Sequence, residues 1–325
     1  MGYHSEIMNK FTAIKNFALG ALLITAISNY ANAKDLAIGV LPAADSIVLD
    51  TAVSEGLFKK HGLTVTTVPF KSALEIGAAM RAHKIDGHFG DLMNVFMQNE
   101  TGAPQQVIVT TTHTSQHQRC FGLVTSPKLK DTLTSLKVLK HSKTAMSAGT
   151  IIDYLLDSMI ASNHLAEDAL DKTEVKQIPI RMQMLLSGQI DTALLPEPLV
   201  SLVESKGGRV LWDDTLLNET LAIVAIAQNT LSDGEIKEFR QAVSEAAALI
   251  EKDPEKYREL MVQKRLIPKD GAKAYKMLHF SMFKTADGLP PMPTYEELYR
   301  VGQWMIAHKL LKAMPDLEKI VFNMQ

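Results

Sequence analysis

Cysteine is the scarcest chemistry in this chain: one thiol, Cys120, in 325 residues. A single thiol permits no intramolecular disulfide. Set at the head of an apolar Cys-Phe-Gly-Leu-Val run, it reads as an inert, buried group rather than a nucleophile. Excess charge is missing too. Lys and Arg total 34 against 36 Asp and Glu, a net charge of −2, with no basic stripe, which excludes a nucleic-acid binder. Beyond residue 33 no apolar run approaches the roughly 20 residues that cross a bilayer. There is no Walker-type glycine cradle, no Gly-x-Ser-x-Gly elbow and no His-Glu-x-x-His. His113, His117 and Cys120 are spaced by four and three, which would align three metal ligands on a helix. Their Thr-rich, strand-like surroundings argue against a helix, so no metal site and no cofactor are expected.

What is present is an ordinary globular composition, 46% hydrophobic and 22% charged. The length suits two lobes better than one compact unit. Residues 1–33 read as an export signal: Lys10 and Lys15 make a basic start, Phe17 to Ile27 an apolar run, and Ala31-Asn32-Ala33 a small-x-small cleavage site. Cleavage after Ala33 leaves no cysteine to carry a lipid. A soluble exported protein without an anchor is retained by a second membrane, so the periplasm is the expected compartment.

One pattern is written twice. Residues 85–92 read Ile-Asp-Gly-His-Phe-Gly-Asp-Leu and residues 190–198 read Ile-Asp-Thr-Ala-Leu-Leu-Pro-Glu-Pro, each after a helix-forming stretch. A short apolar run beyond a helix marks a buried strand of an open α/β sheet, and ligands gather at the carboxyl ends of such strands. Each copy puts a carboxylate there, Asp91 and Glu197. Two like-built halves would then face one cleft, each offering an acidic corner.

In chain order, Leu36–Leu41 reads as a first strand, followed by a helix from Ile47 with Asp45 or Ser46 as its N-cap. Leu63–Phe70 is a second, alternating strand, giving a parallel, right-handed β-α-β-α-β start. Gln106–Thr112 and Cys120–Thr125 read as strands around a polar Thr-His-Thr-Ser-Gln-His-Gln-Arg segment. Thr144–Met146 is a strand before the turn Ser147–Thr150 and the helix Ile151–Ser162. Val175–Ile178 reads as the next strand, with Arg181 in the first turn of the helix after it. Thr220–Ala227 is an apolar strand. Ser232 with Glu235, and Thr294 with Glu297, are capping boxes, and Asp253-Pro254 opens another helix. Leu298, Tyr299, Trp304 and Met305 fall at helical spacing as core.

The succession Gly-Val-Leu-Pro-Ala-Ala-Asp-Ser, Glu-Gly-Leu-Phe-Lys-Lys-His-Gly-Leu-Thr-Val and Ile-Asp-Gly resembles the solute-binding proteins of ABC importers, in the branch of sulfonate, taurine and pyrimidine-precursor binders (SsuA/NMT1-like). Leu133–Leu139, the small-residue turn Ser147-Ala148-Gly149-Thr150 and the Pro-Glu-Pro end of 189–199 continue the likeness, which covers about residues 35–230. Lys140-His141-Ser142-Lys143 departs from the family's Gly-Lys-Lys entry. The resemblance implies a two-lobed type II periplasmic binding protein fold, each lobe a mainly parallel sheet flanked by helices. Lobe I would comprise 34–125 and 217–325, lobe II 126–216, with hinge crossings near 126 and 216.

The expected ligand contacts are Asp45, Ser46, Asp91, His113, Ser147, Gly149, Thr150, Arg181 and Glu197. Carboxylates favour a ligand with amino or ring N–H donors, whereas the helix starts and Arg181 favour anionic groups. A zwitterion, an amino-pyrimidine or a sulfonate fits, with Phe70, Phe89 or Tyr154 as a stacking face. The expected function is capture of a small polar metabolite and its delivery, by a monomer, to an ABC permease in the inner membrane, without catalysis. The alternative is an enzyme on the same fold, of dehydratase or pyrimidine-synthesis type, with Asp91 or Glu197 transferring a proton.

Overall fold

The computed structural model describes residues 34–166 and 168–323. The expected export signal lies outside them. The chain begins with β1 (Lys34–Val40), α1 (Ile47–Ser54), the short α2 (Leu57–Lys60), β2 (Leu63–Pro69), α3 (Ala73–Arg81), β3 (Gly87–Gly90), α4 (Leu92–Glu100) and β4 (Gln105–His113). It continues through β5 (Phe121–Thr125), β6 (Ser142–Met146), α5 (Ile151–Ser162), β7 (Leu170–Glu174), α6 (Ile178–Ser187), β8 (Thr192–Pro196), α7 (Leu199–Ser205) and β9 (Val210–Asp213). The strand β10 (Thr220–Ala227) and the helices α8 (Asp233–Lys252), α9 (Pro254–Gln263) and α10 (Tyr295–Ala307) complete it. Among the described residues no helix is long and apolar enough to cross a membrane.

Two five-stranded mixed sheets result, ordered β2-β1-β3-β10-β4 and β7-β6-β8-β5-β9. Their first three strands are the two copies of one unit: β1 runs parallel to β3, and β6 runs parallel to both β7 and β8. Each sheet then receives an antiparallel strand, β10 beside β3 and β5 beside β8. The duplicated Ile-Asp has one structural task in both halves. Asp86 Oδ2 accepts the Ala37 N–H at 2.8 Å and its own N–H returns to the Ala37 carbonyl at 2.8 Å. Asp191 Oδ2 accepts the Lys143 N–H at 2.8 Å, and its N–H reaches the Lys143 carbonyl at 2.9 Å. In each half this clamp fixes the strand that follows beside its parallel neighbour.

Three expectations need correction. Phe121–Thr125, placed in the first lobe, hydrogen-bonds within the second sheet, between β8 and β9. The chain therefore leaves the first sheet between His113 and Phe121, and it returns between Asp213 and Thr220. The strand expected at Val175–Ile178 lies earlier, at Leu170–Glu174, and Ile178 already begins α6. That strand is the outer edge of its sheet and mostly exposed, so it carries no apolar alternation to read. Tyr299 is 44% exposed and stacks on Tyr295, whereas Leu298 and Met305 are core and Trp304 is partly buried. Both capping boxes are formed, and α9 opens at Pro254 with the Asp253 side chain accepting the Lys256 N–H.

One carboxylate ties the two passages together. Asp214, fully buried in the return passage, accepts the N–H groups of Cys120 and Phe121 at 2.9 and 3.0 Å.

Removing the first clamp by Asp86→Ala leaves the Ala37 N–H without its acceptor and is expected to cost about 1–3 kcal/mol. Asp191→Ala is expected to cost less, because its bond is solvent-exposed. Urea denaturation of both variants checks the order; equal losses would contradict it.

Candidate functional site

The carboxyl ends of both sheets border one cleft of about 550 Å³, counted out to its mouth. From the first half come Leu41, Ala43, Asp45, Phe89 and Asp91; from the second, Phe121, Ser147, Thr150, Arg181 and Pro196. The chamber is mostly apolar with a few fixed polar groups, the common make-up of a small-molecule site. Phe89 and Phe121 supply aromatic faces. Phe70 and Tyr154, the other stacking candidates, do not line the chamber, and Tyr154 is held by an edge contact with Trp304 and a hydrogen bond to Glu219. Beside the chamber opens a more polar pocket that shares Ala73, Asp91, Ser147, Thr150 and Lys176 with it and adds Gly149, Arg81, Asn94 and Gln98.

Asp45, in the short turn before α1, is 7% exposed and accepts a hydrogen bond from the Thr112 hydroxyl. Burial pushes its carboxyl up to about 6, against the pull of that hydrogen bond. Asp91 is the N-cap of α4, accepting the Asn94 N–H at 2.9 Å through Oδ1. Its Oδ2 reaches across the cleft to the Ile151 N–H, also at 2.9 Å, at the start of α5. Burial raises its pKa, and the two N–H bonds hold it back.

Arg181 is the largest of the fully buried side chains, 1% exposed, where a first-turn arginine would more often be solvated. Its Nε and Nη2 donate to the Val175 carbonyl at 3.2 and 3.0 Å, and Nη1 donates to the Leu194 carbonyl at 3.4 Å. No carboxylate among the described residues forms an ion pair with it. Burial lowers its pKa to about 10, with Glu174 acting in the opposite sense, so it stays cationic at neutral pH.

The halves also touch directly across the cleft. Ala44 N–H donates to the Glu197 carbonyl at 2.7 Å, Ile178 N–H to the Lys71 carbonyl at 3.0 Å, and Gln177 Nε2 to Glu75 Oε1 at 2.8 Å.

Of the expected contacts, Asp45, Asp91, Ser147, Thr150 and Arg181 come together on the chamber, with Gly149 on the adjoining pocket. Three do not line either. Ser46 is fully buried, its hydroxyl donating to the Ala43 carbonyl. His113 turns toward α10, with Nε2 2.9 Å from Glu297 Oε1 and Nδ1 3.0 Å from the Thr114 carbonyl. Its pKa is raised by Glu297 against the effect of burial. Glu197 stands behind its proline, where it accepts Arg119 Nε at 2.8 Å and the Ser201 N–H at 3.1 Å at the start of α7. Among the described residues no group of three His, Cys, Asp or Glu is arranged to hold a metal ion. Cys120 is buried, and burial pushes its thiol well up. Phe121 and Pro196 are cleft residues that sequence reasoning left out.

Glu197→Ala leaves Arg119 with Glu204 as its one carboxylate partner and removes the acceptor of the Ser201 N–H at the α7 amino end, so a loss of about 1–2 kcal/mol of stability is expected. Denaturant titration checks this; an unchanged midpoint would contradict it. For Asp45 the folded pKa lies above the unfolded one. Its penalty is absent below about pH 4, grows as pH rises, and is complete above about 6. Asp45→Asn should therefore gain on the wild type by up to about 3 kcal/mol between pH 4 and pH 7. Melting curves at both pH values check this; a constant gap contradicts it.

Three solved structures share the fold closely. The alkanesulfonate-binding protein SsuA from Xanthomonas axonopodis pv. citri, bound to MOPS, has a TM-score of 0.71 at 17% identity over 89% of this chain and 98% of its own. The periplasmic aliphatic sulphonate-binding protein SsuA from Escherichia coli scores 0.70 at 19% identity, over 89% and 97%. The periplasmic nitrate-binding protein NrtA from Synechocystis PCC 6803 scores 0.70 at 13% identity, over 89% and 86%. They place this chain in the periplasmic binding protein fold. Comparison with curated protein sequences finds no match. The sequence model of the NMT1-like family matches residues 29–263, and the chain belongs to that family.

Proposed function

We propose that the chain is the periplasmic solute-binding component of an ABC importer, which captures one small polar metabolite between its halves and presents it to an inner-membrane permease. The observation that carries this reading is the chamber at the carboxyl ends of two like-built sheets, lined by both. Family membership and the transport-binding proteins among its structural neighbours support it. The described residues contain no membrane-spanning helix, in keeping with a released protein after cleavage at Ala33.

The two walls differ in charge. The first half offers Asp45 and Asp91, and the second offers Arg181 and Lys176. A ligand with an acidic group toward Arg181 and an N–H donor toward Asp45 satisfies both walls, as a zwitterion or an acid-bearing amino-heterocycle would. Lobe I then comprises 34–113 and 220–323, and lobe II 121–213. The two passages between them, stapled by Asp214, form the hinge. Closure is a hinge motion favoured by contacts that a ligand makes to both halves. A monomer suffices for this cycle.

Screening sulfonates, amino acids and amino-pyrimidines by thermal shift and titration calorimetry tests the reading. One compound is expected to bind at one equivalent without being converted. Ser147→Phe, which fills the chamber, is expected to fold normally and lose at least 100-fold in affinity. Turnover of the bound compound, or equal binding by the filled variant, would overturn the proposal.

A further inference from the structure

We infer that Asp91 is a specificity determinant: its carboxylate fills the amino end of α5 and shuts small oxyanions out of that place, leaving Arg181 as the seat for a ligand's acidic group. The inference deepens the solute-binding reading above and rests on it for the identity of the cleft.

The amino end of a twelve-residue helix carries unpaired N–H groups and a partial positive charge, which attract anions. In the turn before α5 and at its first residues the chain fills its N–H donors itself. Ala148 N–H donates to Glu174 Oε2 at 2.8 Å, Gly149 N–H to Asp153 Oδ2 at 3.1 Å, and Ile152 N–H to the Thr150 hydroxyl at 3.3 Å. Those three acceptors belong to the same half as the helix. The fourth, Asp91 on Ile151 N–H, comes from the other half, and its second oxygen caps α4. One carboxylate thus serves two helix ends across the cleft. A sulfonate arriving at Ile151 would have to displace it and would then lie beside a second negative charge.

Arg181 is in the opposite condition. It is 1% exposed, lines the chamber, and its ion-pair partner is missing among the described residues. A guanidinium has five N–H donors. Three go to the Val175 and Leu194 carbonyls, which leaves two for an acid in the chamber. Asp91 therefore sets where an acidic group sits: toward Arg181 and away from the amino end of α5.

The test compares wild type with Asp91→Ser and Asp91→Asn, using methanesulfonate as the probe and neutral methanesulfonamide as its control, by titration calorimetry. Serine still caps α4 but is too short to reach Ile151; asparagine keeps the size and drops the charge. The expected result is at least tenfold tighter methanesulfonate binding by Asp91→Ser and a smaller gain by Asp91→Asn, with methanesulfonamide unchanged. Circular dichroism establishes that each variant is folded, and either folded variant suffices. Methanesulfonate binding no tighter than wild type in a folded variant, or an equal gain for methanesulfonamide, would overturn the inference. Because the probe is a simple anion, this outcome is separate from the solute-binding reading, which fails if no metabolite binds the wild-type cleft.

Discussion

The geometry of the cleft depends on one shared carboxylate. Asp91 caps the helix that follows its own strand and, with its other oxygen, the first N–H of a helix in the opposite half. A helix end with unmet donors is costly to bury, so each half presents a surface that is best satisfied by the other. The backbone bonds from Ala44 to Glu197 and from Ile178 to Lys71 follow the same logic at the chamber's flanks. Polar pairing of this kind is directional, and it holds the apolar chamber at one width in a way that dispersion alone would not.

Behind the cleft, a second buried acid does the complementary work. Asp214 gathers the N–H groups of Cys120 and Phe121, so the outgoing and returning passages are bonded to each other. The front of the molecule is closed by bonds that cross between halves, and the back is joined by chain that crosses between them. Each sheet is tied internally by its own aspartate clamp.

Much of this was legible in the sequence because local rules and tertiary demands agree there. The doubled Ile-Asp announced two copies of one unit, and Asp86 and Asp191 do turn out to make the same bonds. Thr220–Ala227 and Ile151–Ser162 were read to the residue, the first from a continuous apolar run and the second from a small-residue start. The errors fall where the deciding partner is remote. Phe121–Thr125 is as apolar as any central strand, so nothing in it told which sheet would take it. Glu197 is expected at the ligand, but Arg119, 78 positions earlier, claims it. His113 is claimed in the same way by Glu297, 184 positions later. The burial of Arg181 was equally unreadable, since its partners are two backbone carbonyls and not a carboxylate.

In the proposed function the cleft holds one small molecule with both halves at once. Native mass spectrometry of the protein purified from its own cells tests this most directly. A single co-purifying metabolite, bound one to one and lost on unfolding, is the expected result. Protein that carries no small molecule from its own cells and takes up none from an extract of them would contradict the account.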